Sequence, residues 1–356
     1  MTPRRILYCA IAGWILGTSP VPASDLAPLP PPRAPAENPD SAGKTELGKM
    51  LFFDRRLSGD GTMNCATCHD PESGYGDRLP VSLSYPTTKN WRNAPTLINV
   101  AYRPLLFWDG RTGSLEDQAL FPVASAFEMN QNIDFLEEEL KEVPEYVEAF
   151  RTVFGGEITR ARIAMALAAF QRTIVSNDTP LDRFLRGDGD ALTPLQKKGH
   201  ELFVGKAGCV RCHGGASLSD GRFHNLGVPE DPKLTADPRV AVTRRFVAKV
   251  SGYDGYRELS EDPGRFLVTR DPGDWKAFLT PPLRNVADTG PYMHNGAFRS
   301  IAEVIDFFDR GGGDDPKKSP QLQPLRLSPE EKQALESFLS EALSGPVTPV
   351  KPPRIP

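Results

Sequence analysis

Two pentapeptides constrain this chain of 356 residues more than anything else in it: Cys65-Ala66-Thr67-Cys68-His69 and Cys209-Val210-Arg211-Cys212-His213. Two cysteines three positions apart can each bond one vinyl group of a single haem, and the histidine that follows reaches the iron as its proximal ligand. The competing reading is a zinc site built on Cys-x-x-Cys pairs. It accounts for both cysteine pairs but not for the histidine directly after each. The sequence therefore predicts two covalently bound haem c groups. The fifth cysteine, Cys9, lies in the first ten residues, so none remains for a structural disulfide.

Residues 1–23 read as a secretory signal peptide. Arg4 and Arg5 give a basic start, and Ile6 to Gly17 is an apolar stretch of twelve residues, too short to span a bilayer comfortably. Val21 and Ala23 offer small side chains before a cut, which is expected after Ala23; an uncleaved anchor is the alternative. A c-type haem is normally attached outside the cytoplasm, so the expected location is the periplasm, with no membrane span after cleavage. The formal charge is −4 and becomes −6 once Arg4 and Arg5 are lost. Basic runs are absent, which argues against a nucleic-acid partner.

Residues 24–40 are rich in Pro and Ala and read as an extended, solvated linker. The remainder suits two domains of ordinary size, an N-terminal haem domain over 41–187 and a C-terminal haem domain over 188–345, followed by a Pro-rich tail at 346–356. A weak internal repeat supports the division. Leu51-Phe52 ends an apolar helical stretch before the first motif, and Leu202-Phe203 does the same before the second. Thr193-Pro194-Leu195-Gln196, Ser300 with Glu303, and Ser328-Pro329-Glu330-Glu331 are helix starts with capping-box chemistry. Pro144 separates two further helices. Ile163, Leu167, Phe170 and Ile174 recur at helical spacing, so Thr159 to Val175 is expected to be a buried helix between domains or beneath a haem. Strand alternation is scarce. The expected fold is mainly α: two cytochrome c-like haem domains with long loops.

The chain resembles the bacterial dihaem cytochrome c peroxidase and MauG family. The matching text is Leu47-Gly48-Lys49-Met50-Leu51-Phe52-Phe53-Asp54 with Arg56-Leu57-Ser58; the first haem motif; Arg92-Asn93-Ala94-Pro95-Thr96; Phe107-Trp108-Asp109-Gly110-Arg111; Gln118; Glu128-Met129; the second motif; and Thr289-Gly290-Pro291-Tyr292-Met293-His294. The resemblance implies that His69 is the proximal ligand of the peroxide-reacting haem, with Gln118, Glu128 and Pro122 in its distal pocket. Peroxide heterolysis needs a group that takes a proton from the near oxygen and returns one to the leaving oxygen, and a partly buried carboxylate with a raised pKa can do both. Most glutamates are simply solvated, so it is the position in the matching text that singles out Glu128. Trp108 would lie between the haems as an oxidisable stepping stone, or serve only as a core aromatic. Asn93 and the backbone of Thr289 and Pro291 would hold a calcium ion, to which amide and carbonyl oxygens are suited; otherwise Asn93 is a turn residue.

Two departures from the family pattern stand out. Eight residues before Asn93, where the peroxidases carry a His that blocks the first haem at rest, this chain has Tyr85. The first haem is then expected to be open, as in MauG-like members, unless Tyr85 itself ligates. Fourteen residues after His294, where the second haem would receive a Met or Tyr, this chain has Phe308, which has no lone pair. His224, Met293 and His294 are candidate substitutes; otherwise that haem is five-coordinate or water-ligated. His200 reads as a surface helical residue.

The expected function is that of a dihaem c-type peroxidase reacting with hydrogen peroxide and relaying oxidising equivalents through the second haem. Its donor would be a small cytochrome or copper protein, or its target a protein substrate as for MauG. The alternative is a non-enzymatic dihaem electron carrier, which leaves Gln118 and Glu128 without purpose.

Overall fold

The computed structural model describes residues 25–85, 88–347 and 349–356, so the secretory-signal reading of residues 1–23 lies outside the described residues. The fold is mainly α. The principal helices are α1 (Ala42–Phe53), α2 (Ile133–Lys141), α3 (Pro144–Phe154), α4 (Arg160–Arg172), α5 (Pro180–Leu185), α6 (Pro194–Val204), α7 (Pro238–Val250), α8 (Ile301–Asp309) and α9 (Pro329–Ser337). Two two-residue strands, β1 (Phe223–His224) and β2 (Phe278–Leu279), pair antiparallel.

Helix boundaries follow side-chain caps. Thr159 accepts from the backbone N–H of Arg162 and starts α4, the buried helix that the apolar periodicity predicts. The capping boxes at Thr193/Gln196, Ser300/Glu303 and Ser328/Glu331 all form, and Pro144 is the first residue of α3.

The internal repeat has a packing basis. α1 crosses α4 at Gly48, where an added Cβ would stand 1.8 Å from the carbonyl oxygen of Ala166. α6 crosses α9 at Gly199, where it would stand 2.1 Å from the carbonyl oxygen of Ala334. No side chain fits at either crossing, so the glycines set how closely the backbones approach. Leu51 and Phe52 bury in the first core beside Leu167 and Phe170; Leu202 and Phe203 bury in the second beside Leu335 and Phe338. Beyond each first helix, a single turn of 3-10 helix, Cys65–Thr67 or Cys209–Arg211, carries a haem motif.

Three readings from the sequence need correction. Residues 25–40 are extended and mostly exposed, but they are fastened to the body at several points rather than free. Leu26 bridges to Gly215, Leu29 is buried with its N–H donating to Asp182 Oδ1 at 3.2 Å, and buried Asn38 donates to Glu116 Oε1 at 2.7 Å. The strap has few apolar side chains, but side chains of the helical body satisfy its polar groups, a pairing invisible to composition. Next, α5 packs through Leu181, Phe184 and Leu185 in the second core, although the division at 187 assigned it to the first. Its Asp182 forms an ion pair with Arg284 at 2.6 Å, both side chains almost fully buried. Lastly, His200 is half-buried between the rings of Phe184 and Phe338, with centroids 5.6 and 5.7 Å away. Burial pulls its pKa below the usual histidine value.

Part of the expected long-loop region, between the two strands, forms a small helical layer around α7. Leu234, Val240, Ala248, Leu259 and Leu267 pack there with Val81 and Trp91 from the first half. Arg92 clamps it in place. The guanidinium donates to Asp262 at 2.6 and 2.9 Å and to Asp109 at 2.7 Å, and lies 4.0 Å over the Trp91 ring. The tail at 346–356 returns to the first core, where Val347, Val350 and Ile355 pack and the Pro356 carbonyl accepts from Arg56.

Candidate active site

Each haem motif opens on a cavity. The first, about 1300 Å³ counting its mouth, is lined by Cys65, Cys68, His69, Gln118, Pro122, Glu128, Asn93 and Trp108, among others. Leu167 and Gln171 of α4 form part of its wall, so α4 lies beneath this site. The second, about 1140 Å³, is lined by Cys209, Cys212, His213, His224, Met293, His294, Phe308 and Trp108. A third space of about 1670 Å³ lies between them and shares Asn93 and Phe107 with the first and His213, Met293 and Phe308 with the second. Trp108 borders all three cavities. Its indole N–H donates to the Asn93 carbonyl at 2.9 Å, which fixes the ring.

The two histidines that follow the cysteines are held alike. His69 Nδ1 lies 3.1 Å from the Tyr75 carbonyl, and His213 Nδ1 lies 3.1 Å from the Leu218 carbonyl. A ring that donates from Nδ1 keeps Nε2 free for a metal.

Glu128 sits in the wall of the first cavity. Desolvation there pushes its carboxyl above the usual range, only partly offset by Arg111 and by a hydrogen bond from Asn90. The Asn90 Nδ2 donates to Glu128 Oε1 at 3.0 Å. Arg111 is anchored by Asp109 at 2.9 Å and stacks 3.4 Å over the Phe107 ring. Gln118 faces the same cavity, but Tyr85 is not among its lining residues. The Tyr85 backbone N–H donates to the Glu128 carbonyl at 2.8 Å, which ties this stretch of chain to Glu128's backbone.

A match and two relatives decide the family. The model for di-haem cytochrome c peroxidase matches residues 42–190. Cytochrome-c peroxidase IdrP1 of Pseudomonas sp. (strain SCT) is 48% identical over 90% of this chain and 85% of that protein. The chain belongs to the di-haem cytochrome c peroxidase family. Methylamine utilization protein MauG of Methylorubrum extorquens is 36% identical over 90% of this chain and 84% of that one. A solved MauG-like protein associated with microbial copper homeostasis superposes with a TM-score of 0.76 at 30% identity, covering 94% of this chain and 96% of that one.

As a member of the di-haem cytochrome c peroxidase family, the chain is a peroxidase-like oxidoreductase, and the family implies two c-type haems. The cavities fit them. Burial pushes the Cys65, Cys68 and Cys209 thiols up to about 12. Sulfurs so enclosed suit uncharged thioethers. Arg103, on the first and third cavities, is half-buried with no carboxylate beside it among the described residues: one Nη donates to the Thr96 carbonyl at 3.0 Å, its buried Nε has no partner, and desolvation pulls its pKa down to about 10. A guanidinium so placed calls for an anion that the chain does not supply, and a haem propionate is one. Neither Arg103 nor Asn90 was singled out from the sequence, since a lone Arg or Asn outside a motif carries no signal.

Around His213 the candidates separate. His224 Nε2 lies 2.9 Å from Asp220 Oδ2, and its pKa is raised to about 9 by that bond and then by Cys212. Cys212, Asp220 and His224 cluster within 4.8 Å, so His224 stands beside the attachment cysteine. His294 is buried flat against Phe278, centroids 3.6 Å apart, and burial pulls its pKa down to about 4. Met293 and Phe308 line both cavities that border His213. Asn93, Thr289 and Pro291 come together on the third cavity, with Asn93 Nδ2 donating to the Leu79 carbonyl at 2.8 Å.

Proposed function

We propose that this protein is a periplasmic dihaem peroxidase. It reduces hydrogen peroxide at the haem attached through Cys65 and Cys68, with His69 as proximal ligand. Cys209, Cys212 and His213 would hold a second haem, which would supply a store or relay for the second oxidising equivalent. The observation that carries this reading is Glu128, a desolvated carboxyl in the same cavity as His69, with Trp108 bordering that cavity and the one around His213. The mirrored crossings at Gly48 and Gly199 support two cytochrome c-like domains, each built around one haem.

The haem iron supplies the redox chemistry: peroxide, two protons and two electrons become two waters. The protein residues handle the protons. Glu128 in its carboxylate form would take the proton from the near oxygen and return it to the leaving oxygen; its raised pKa favours the uptake and brings the group nearer the range in which it can serve as both base and acid. Asn90 fixes which carboxylate oxygen faces the cavity, and Gln118 offers an amide to orient peroxide. Trp108, an oxidisable indole fixed by the Asn93 carbonyl, bridges the sites. Asn93 with the carbonyls of Thr289 and Pro291 would hold a calcium ion at this junction, a reading supported by their meeting on one cavity.

Phe308 supplies no ligand to the second iron, and His224 is engaged by Asp220. Met293 and His294, both on the cavity around His213, are the side chains that could complete the iron of a haem held there; otherwise that haem would be five-coordinate or water-ligated. With Tyr85 where the peroxidases carry a blocking His, a haem held by His69 would be open to peroxide without prior reduction. Electrons come from a small cytochrome or copper protein, or from residues of a protein substrate in the manner of MauG. Rapid mixing of the oxidised holoprotein with peroxide tests the reading. A peroxidase gives a fast Soret change; a dihaem electron carrier with both irons six-coordinate gives none.

A further inference from the structure

Two motif residues, Arg92 and Asp109, take no part in the proton chemistry above. With Asp262 they form a buried ion cluster between the two haem cavities. Arg92 is at its centre. Its Nε and one Nη donate to Asp262 at 2.6 and 2.9 Å, and its other Nη donates to Asp109 at 2.7 Å. Arg92 lines the first cavity and Asp262 lines the second. Asp109 directly follows Trp108, which borders both.

The cluster does not balance. All three side chains are buried, and two carboxylates stand against one guanidinium. Arg111 reaches Asp109 at 2.9 Å, but it is 31% exposed and water screens its charge. Burial opposes the charges, yet Asp262 and Asp109 hold Arg92 above its ordinary pKa, and Arg92 with Arg111 holds Asp109 below the usual carboxylate range. A surplus negative charge in a buried wall is costly unless a positive charge arises beside it. The second cavity is the place for one. Phe308 on its wall can give no negative charge to a metal held there. Glu230, the other carboxyl on that wall, resists ionisation, because burial and then Asp262 raise its pKa. The cations there are already engaged or solvated: Lys276 by Asp315 at 3.0 Å and Glu261 at 3.3 Å, His224 by Asp220, and Arg211 by exposure.

We propose that Asp262 is the counter-charge of the haem site on His213, stabilising its oxidised form in place of the axial anion that Phe308 cannot supply, and that Arg92 is the positioning residue that holds this carboxylate in the wall. This rests on a haem attached through Cys209 and Cys212, as the peroxidase reading requires. Loss of one electron from that site adds one positive charge there, and a fixed carboxylate in a low-dielectric wall favours the charged product. A site that gives up its electron readily is suited to hold the second oxidising equivalent until a donor refills it. Asp109 extends the same field to Trp108.

The test is a spectroelectrochemical titration of the holoprotein that reads the midpoint potential of each haem, with the Cys65→Ala, Cys68→Ala variant assigning the one on His213. Asp262→Asn keeps an acceptor for Arg92 and removes the charge. The midpoint of the second haem should rise, by more than that of the first, and the rise should persist in high salt, because a buried charge is screened little. Asp262→Glu restores the charge and should return the midpoint toward the parent. Asp109→Asn leaves Arg92 paired with Asp262 and should give a smaller rise of the same sign, which carries the test if Asp262→Asn does not fold. A parent with no haem on His213 sinks the peroxidase reading and this proposal with it. A parent with both haems, whose second midpoint ignores the neutral variants, overturns the counter-charge alone. So does a shift in Asp262→Glu equal to that in Asp262→Asn, or an equal shift at both haems.

Discussion

Asn90 donates from Nδ2 to Oε1 of Glu128 at 3.0 Å, a bond that favours the charged form of a carboxyl whose pKa desolvation raises. Proton uptake from peroxide needs the carboxylate, so the rate of reaction with peroxide should fall as pH drops through the raised pKa of Glu128. Asn90→Leu removes a bond that favours the charge and raises that pKa further. The acid limb of the pH–rate profile should then move to higher pH, with both haems retained. A limb that stays put or moves down would show that Asn90 does not tune this group.

Haem content is the simplest check on the two motifs. The holoprotein should hold two haems that acid acetone does not extract, and Cys65→Ala with Cys68→Ala should leave one, on His213. Zinc in place of a Soret band would overturn the entire scheme.

Phe308 predicts an unusual second haem. High-spin ferric signals should appear in the electron paramagnetic resonance spectrum of the oxidised protein, and Phe308→Tyr should convert the second haem to low spin. An anionic Tyr would also stabilise the ferric form, because axial ligand identity moves haem potential strongly. If the second haem is already low-spin and loses that signal in Met293→Leu while ignoring Phe308→Tyr, Met293 is the sixth ligand.

The glycine crossings predict a stability defect that has nothing to do with chemistry. Gly48→Ala puts a methyl 1.8 Å from the Ala166 carbonyl oxygen. α1 and α4 must separate, and overpacking of this kind costs about 3 kcal/mol. Gly199→Ala should behave similarly in the other half. Denaturant midpoints of the holoprotein would reveal it, whereas an exposed site such as Gly61, with open space around its Cα, should tolerate a side chain far better despite its left-handed backbone.

What the sequence disclosed was local. The Cys-x-x-Cys-His spacing, the Thr193, Ser300 and Ser328 caps and the apolar row of Ile163, Leu167 and Phe170 each lie within a few turns of chain, where geometry follows from spacing alone. Gln118, Glu128 and Trp108 were reached only through resemblance to a family, because one Glu or Trp has no local signature. Long-range pairs stayed hidden. Arg92 and Asp262 are 170 residues apart, Leu29 and Asp182 are 153 apart, and nothing in either partner's neighbourhood announces the other. The strap at 25–40 was misread for that reason: its composition speaks for solvent, and its partners lie on distant helices.

The central claim is that Glu128 moves the protons of peroxide cleavage at the haem on His69. Stopped-flow mixing of oxidised Glu128→Gln with peroxide tests it most directly. The variant should keep both haems and the parental ferric spectrum yet react about a hundredfold more slowly or worse, the usual scale for removing a general acid–base group. Reaction at the parental rate would show that Glu128 is a bystander in the cavity wall.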